Sequence, residues 1–178
     1  MHNAVRAAIA VIDVDGPDAV SVRRLARELN YSRSGIAYRI GSMPDLETEV
    51  FIAIASDLGQ TMMGPRPFQP GDAAWQRAAA SRVFDWSERY TNRATFLTSA
   101  RLPDEARGPV VASVLGNVLG PDHGIEFAPV DYLVSAFALT IEIARLFEDR
   151  EAALDTVAAH CAGTWRTLLR AARQPAHV

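Results

Sequence analysis

The sequence predicts an all-α protein. Apolar residues recur at helical spacing along nearly the whole chain of 178 residues, and no segment alternates apolar and polar residues as a strand does. Gly and Pro residues divide the pattern into segments of helix length. The hydrophobic fraction of 49% is that of a chain that folds around a core.

Three short helices are predicted before residue 41. The first ends at the breaker Asp15-Gly16-Pro17. Ser21 is placed to cap the second helix, which is interrupted at Asn30-Tyr31. Ser32 is placed to cap the third, which runs to about Ile40. Two short helices joined by a tight turn are the pattern of a helix-turn-helix.

A fourth helix is predicted from about Pro44, a residue tolerated in a first turn, and a Pro/Gly-rich piece follows it at 64–72. Because this helix is expected to bridge both parts of the protein, we place the domain boundary near residue 46. We expect an N-terminal three-helix unit at 1–46 and a larger helical domain at 47–178.

Positive charge is concentrated on the predicted helix-turn-helix. The chain is acidic, with 18 basic against 21 acidic residues, yet residues 21–40 carry five arginines against one acid, a local net of 5 − 1 = +4. Such charge compensates DNA phosphates when the second helix lies in the major groove. The alternative is an ordinary solvated arginine face. The five arginines are Arg23, Arg24, Arg27, Arg33 and Arg39.

Residues 4–51 resemble the DNA-binding domain of the TetR (tetracycline repressor-like) family of transcriptional regulators. The matching stretches are "AAIAVIDVDG", "VSVRRLARELNYS" and "GIAYRIGSMPDLETEVF". The resemblance implies a cytoplasmic homodimer that binds double-stranded DNA at a palindromic operator, most often a repressor released by a small molecule. It implies contact with DNA from Ser21 at the second helix, from the recognition helix, and from the serine that follows it. We expect these contacts from Ser21, Ser32, Arg33, Ser34, Tyr38, Arg39 and Ser42.

Two positions depart from the family pattern. Ala37 stands where a phosphate-binding Tyr is common, and Met43 stands where a Lys is common. The basic N-terminal arm of many members is also nearly absent. These departures favour an alternative function, a helical dimer that binds a small molecule or a protein and has lost operator binding.

The rest of the chain is predicted to bind an effector and to form a dimer. A stripe along the helix at 72–90 includes Trp75 and Trp86, which indicates a core and is also typical of an apolar cavity. We expect a largely apolar effector between the helices at 72–90, 93–101 and 130–147, near Trp75, Trp86, Phe96 and Phe137.

The last two helices, at about 130–147 and 150–173, carry more apolar surface than one small layer needs. Two such helices from each of two subunits form a four-helix interface. The expected interface residues are Val134, Phe137, Ile141, Val157, Cys161, Trp165 and Leu168.

Other classes of protein find little support. His160 and Cys161 are adjacent, so they do not face each other on a helix as a catalytic pair must. Four His and one Cys without metal-ligand spacing predict no metal site and no cofactor. The longest apolar stretch is too short to span a membrane. A single cysteine excludes an internal disulfide and suits the cytoplasm.

Overall fold

The computed structural model describes residues 2–65, 72–100, 104–119 and 148–173, with side chains for these residues except 104–107, 111, 115–116, 119 and 164–173. None of the described residues forms a strand, so the all-α prediction is confirmed. A 3-10 turn (Pro17–Ala19) follows the first helix. The α-helices are α1 (His2–Asp15), α2 (Val22–Glu28), α3 (Arg33–Ile40), α4 (Met43–Met63), α5 (Ala73–Arg89), α6 (Thr91–Ser99), α7 (Asp104–Leu119) and α8 (Arg150–Arg173).

The predicted helix ends in the first four helices are confirmed. Gly16, with φ of 86°, adopts the left-handed conformation after α1. Asn30, with φ of 54°, turns the chain between α2 and α3. Pro44 lies in the first turn of α4, where its missing N–H costs nothing. Local capping and turn residues therefore fix the connections.

One later helix differs from the prediction at its start, and the next contains a proline. The predicted helix at 93–101 begins earlier, at Thr91, because Tyr90 alone separates α5 from α6. The next helix, α7, begins at Asp104 and contains Pro109. A proline at the sixth position of a helix removes one backbone hydrogen bond and crowds the carbonyl of the preceding turn, at a cost of about 3 kcal/mol. The predicted helix at 130–147 lies outside the described residues.

The chain divides into two compact units. Unit 1 comprises Met1–Gly59 with Ser87–His123, and unit 2 comprises Gln60–Trp86 with Gly124–Val178. The first unit combines two separate stretches of the chain because α6 packs on α1. The predicted boundary near residue 46 lies within α4, which runs through that residue without a break.

In unit 1, α1, α2 and α3 pack on one another. Ile12, Leu25 and Ile36 are completely buried, with 0% of their surface exposed. Complete burial of such a side chain stabilises the fold by about 1.5–3 kcal/mol. These contacts hold the two helices of the helix-turn-helix against α1.

In unit 2, α5 packs on α8. The buried cluster contains Ala80, Phe84, Ala153, Leu154, Val157 and Cys161. Ion pairs border it: Arg77 pairs with Glu151 and, at 2.7 Å, with Asp155, while Arg150 pairs with Asp85. The pKa of Arg77 is raised, mainly by its hydrogen bond to Asp155 and next by its hydrogen bond to Glu151, although Arg77 lies at the surface.

The cluster bears on part of the interface prediction. Val157 is 2% exposed and Cys161 4% exposed within a single chain, where they pack with Ala80 and Phe84 of α5. A side chain buried in its own subunit offers little surface to a second one, so burial of these two residues favours a place in the subunit core over the predicted dimer interface. Trp165 and Leu168 lie on α8, but their side chains are outside the described part. Val134, Phe137 and Ile141 are also outside it.

Two further properties concern the described residues only. None of their helices is long and apolar enough to cross a membrane. No group of three or more His, Cys, Asp or Glu side chains among them is arranged to hold a metal ion.

Candidate nucleic-acid interface

Helix α3, the second helix of the helix-turn-helix, begins at a serine cap. The Oγ atom of Ser32 accepts a hydrogen bond from the backbone N–H of Gly35 at 3.0 Å and lies 3.2 Å from the Oγ atom of Ser34. A Cβ atom on Gly35 would lie only 3.0 Å from the Ser32 Oγ atom. Glycine therefore leaves room for the cap, which fixes the start of the helix. Both serine side chains are exposed, and the hydroxyl group of Ser32 is already used as the cap of the helix.

The face of α3 opposite its buried residues is open to solvent. Ile36 and Ile40 point into the core, with 0% and 1% of their surface exposed. Ser34 and Tyr38, four residues apart, share the opposite face of the helix. Tyr38 is 91% exposed, so packing does not explain the aromatic ring. Arg33 is also exposed, at the first position of the helix, where side chains reach base edges in this motif.

The arginines of residues 21–40 differ in whether a carboxylate of the protein compensates their charge. Arg24 pairs with Asp15 at 2.9 Å and with Glu28 at 2.9 Å, so its charge is compensated within the protein. Arg23, Arg27 and Arg33 are exposed and form no ion pair with any described residue. The positive charge available to a partner is therefore that of selected arginines, not of the whole run.

The side chain of Arg39 contacts an aromatic ring and a backbone carbonyl group instead of a carboxylate. Its guanidinium carbon lies 4.3 Å from the centroid of the Tyr31 ring. Its Nη1 atom donates to the carbonyl of Gly35 at 3.5 Å, one turn earlier in α3. The side chain therefore runs back along the helix, as helical side chains do. Its charge is fixed in place and remains uncompensated by any carboxylate of the described residues.

The two serines outside α3 differ in what their hydroxyl groups already do. The Ser21 Oγ atom accepts from the N–H of Arg24 at 3.2 Å, which leaves its own proton for another acceptor. The Ser42 Oγ atom donates to Asp45 Oδ2 at 2.6 Å and accepts from the N–H of Asp45 at 3.2 Å. The N–H of Ser42 also donates to this carboxylate, at 3.0 Å.

Ser42 and Asp45 therefore form a capping box at the start of α4. A phosphate at Ser42 has to displace this carboxylate, which carries the same sign of charge. The spacing Ser-x-x-Asp before an apolar run is the sequence signal that could have identified the box. Of the two departures from the family pattern, Ala37 is exposed and Met43 is half-buried in the first turn of α4.

An ion-pair cluster ties three helices of unit 1 together. Arg93 of α6 pairs with Asp13 of α1 at 2.7 Å and with Asp57 of α4 at 3.2 Å, and its guanidinium carbon lies 4.3 Å from the centroid of the Tyr90 ring. The hydrogen bond from Arg93 to Asp13 is the main cause that raises the pKa of Arg93. The sequence alone does not indicate this cluster, because 80 and 36 positions separate Arg93 from its two partners.

The residues predicted to bind an effector are buried where they are described. Trp75 and Trp86, in unit 2, are 3% and 4% exposed, and Phe96, in unit 1, is 8% exposed. Phe137 lies outside the described residues. Burial of these aromatic side chains fits both interpretations, a packed core and the wall of an apolar site.

Comparison with known proteins supports the same fold. No protein-family model and no curated protein matches the sequence. Among solved structures, the chain is similar to a TetR transcriptional regulator from Rhodococcus sp. RHA1, with a TM-score of 0.60 and 17% sequence identity. The similarity covers 90% of this chain and 92% of that chain, so it includes far more than the helix-turn-helix. The protein therefore has a TetR-like fold.

Proposed function

We propose that this protein is a DNA-binding transcriptional regulator, a homodimer that represses transcription and leaves its operator when a small, largely apolar effector binds. The observation that carries the proposal is the charge of the helix-turn-helix. Arg23, Arg27 and Arg33 form no ion pair with described residues although the protein is acidic overall, and Tyr38 of α3 is exposed to solvent. Uncompensated arginines with an exposed aromatic residue on a capped recognition helix suit phosphates and base edges.

The proposed mechanism couples two sites. A dimer presents two recognition helices to half-sites about 34 Å apart, one turn of DNA. An effector that binds more tightly to one arrangement of the subunits shifts the spacing of these helices. A coupling free energy of about 1–3 kcal/mol is ordinary for such regulators.

A second function is favoured by particular residues. Ala37 and Met43 lack the phosphate contacts that are common in the family, and Asp45 places a carboxylate on Ser42. A helical dimer that binds a ligand or a protein, and no longer an operator, would show the same fold.

Selection of bound DNA from random duplexes separates the two functions. We expect enrichment of a palindromic motif by the wild-type protein. A variant with Arg33→Ala and Tyr38→Ala removes two exposed side chains, so it should fold normally and lose the enrichment. If the wild-type protein enriches no sequence, the function without an operator is the correct one.

Arg33→Ala is expected to relax the sequence preference at one position of each half-site. The cost is about 1–3 kcal/mol if the guanidinium binds a guanine through two hydrogen bonds. The measurement is the affinity for duplexes that carry each base at every position of the selected motif. Arg89→Ala, which removes an exposed arginine in the last turn of α5, is the matched control and should preserve the preference. Equal effects of both variants would mean that Arg33 contributes charge alone.

The effector site is proposed to include Trp75 and Trp86 of unit 2, together with Phe137, which lies outside the described residues. A panel of apolar and polar metabolites can be tested for thermal stabilisation of the protein, followed by DNA titration with each ligand found. A ligand that raises the melting temperature and lowers DNA affinity supports the proposed release. A ligand that stabilises the protein without any change of DNA affinity contradicts it.

A further inference from the structure

Tyr31 lies between the two helices of the helix-turn-helix. Its backbone N–H donates to the carbonyl of Ala26 at 2.9 Å, and Asn30 before it adopts the left-handed conformation. Ser32 immediately after it is the cap of α3. The backbone on both sides of Tyr31 is thus fixed by hydrogen bonds. The residue as a whole is 39% exposed, so Tyr31 lies at the surface.

The ring serves as a platform for Arg39, eight residues further on. The guanidinium carbon of Arg39 is 4.3 Å from the ring centroid, well within the range of a cation–π interaction. Tyr31 and Arg39 also line a surface depression of about 230 Å3, together with His2 and Asn3 at the start of α1. The guanidinium therefore borders an open space with room for a phosphate group.

Arg24 shows the other way to hold an arginine in this motif. Asp15 and Glu28 fix it, and in doing so they compensate its charge. An aromatic face fixes a guanidinium through the ring quadrupole and uses none of its N–H donors. One donor of Arg39, at Nη1, is directed to the Gly35 carbonyl. Tyr31 thus holds Arg39 in place and leaves its charge for a ligand.

We propose that Tyr31 is a positioning residue that orients Arg39 toward a backbone phosphate of the bound DNA. The inference deepens the proposed function and rests on it. An unsupported arginine loses much side-chain freedom when it binds a phosphate. Tyr31 restricts Arg39 before binding, so the loss on binding is smaller. Tyr31 touches no base in this mechanism, and its effect passes entirely through Arg39.

The test compares Tyr31→Leu, which removes the ring, with Tyr31→Phe, which keeps it and removes only the hydroxyl group. DNA affinity is measured on the selected duplex, or on a random duplex at low salt. We expect Tyr31→Phe to bind like the wild type and Tyr31→Leu to bind about two- to fivefold more weakly, the size of an exposed cation–π interaction. In an Arg39→Ala background, the change from Tyr31 to Leu should have no further effect.

The stack also has a signature that does not depend on DNA. Ring current should shift the side-chain proton resonances of Arg39 upfield in the wild type and in Tyr31→Phe, and the shift should disappear in Tyr31→Leu. Loss of affinity from damaged folding would persist in the Arg39→Ala background, so that result overturns the proposal, as does wild-type affinity of Tyr31→Leu. A wild-type protein that binds no duplex while the ring-current shift is present overturns the proposed function, and with it the role of the stack in DNA binding.

Discussion

Replacement of both Arg23 and Arg27 by alanine is expected to weaken DNA binding about equally on all sequences and to flatten its dependence on salt. Each phosphate contact that is lost lowers the slope of log affinity against log salt concentration by about 0.9. The double variant should therefore reduce the slope by about two. Both side chains are exposed, lie four residues apart on α2 and form no ion pair with described residues. The measurement is a DNA titration at several salt concentrations.

The matched control removes the same charge from different places. Arg24→Ala combined with Arg89→Ala also lowers the net charge by two, but Arg24 is compensated by Asp15 and Glu28, and Arg89 lies outside the helix-turn-helix. We expect its slope to match that of the wild type. Loss of the partly exposed Arg24 pairs should lower the free energy of unfolding by at most about 1 kcal/mol. If the control flattens the slope as much as the double variant does, net charge decides the affinity and the individual arginines do not.

The local parts of this motif could be predicted from the sequence. Ser21 and Ser32 cap the helices that follow them, and Gly16 ends α1. In each case the cause acts within a few residues of the chain, so the pattern of residue types contains it. The burial of Leu25 and Ile36 follows in the same way from helical spacing.

Which partner each arginine contacts could not be predicted, because the partner is a neighbour in space and not in sequence. Arg24 meets Asp15 from the preceding helix, and Arg39 reaches back to Tyr31. Long side chains adopt many rotamers, and only the packing of α1, α2 and α3 selects these contacts. The sequence therefore indicates a positive segment, and the structure indicates which arginines of that segment remain without a carboxylate partner.

The interface prediction depended on the same kind of information. The apolar stripe of α8 predicts burial of Val157 and Cys161 correctly, but it does not say which helix covers them. Both α5 of the same chain and a second subunit would satisfy the pattern. The structure selects α5, through Ala80 and Phe84. An apolar stripe therefore predicts a subunit interface only when no helix of the same subunit covers it.

This assignment predicts that Val157→Asp unfolds the subunit, whereas an interface residue would give a folded monomer. Val157 is 2% exposed among Ala80, Phe84 and Leu154, so a carboxylate there would be removed from solvent into an apolar cluster, and its burial costs several kcal/mol. Leu154→Ala is the graded variant, and it should lower the free energy of unfolding by about 2–5 kcal/mol. Ala159→Asp, on the exposed side of α8, is the control and should keep the fold of the subunit. Circular dichroism and sedimentation measure fold and assembly separately. A Val157→Asp protein that melts cooperatively as a monomer near the wild-type temperature would return this residue to the interface.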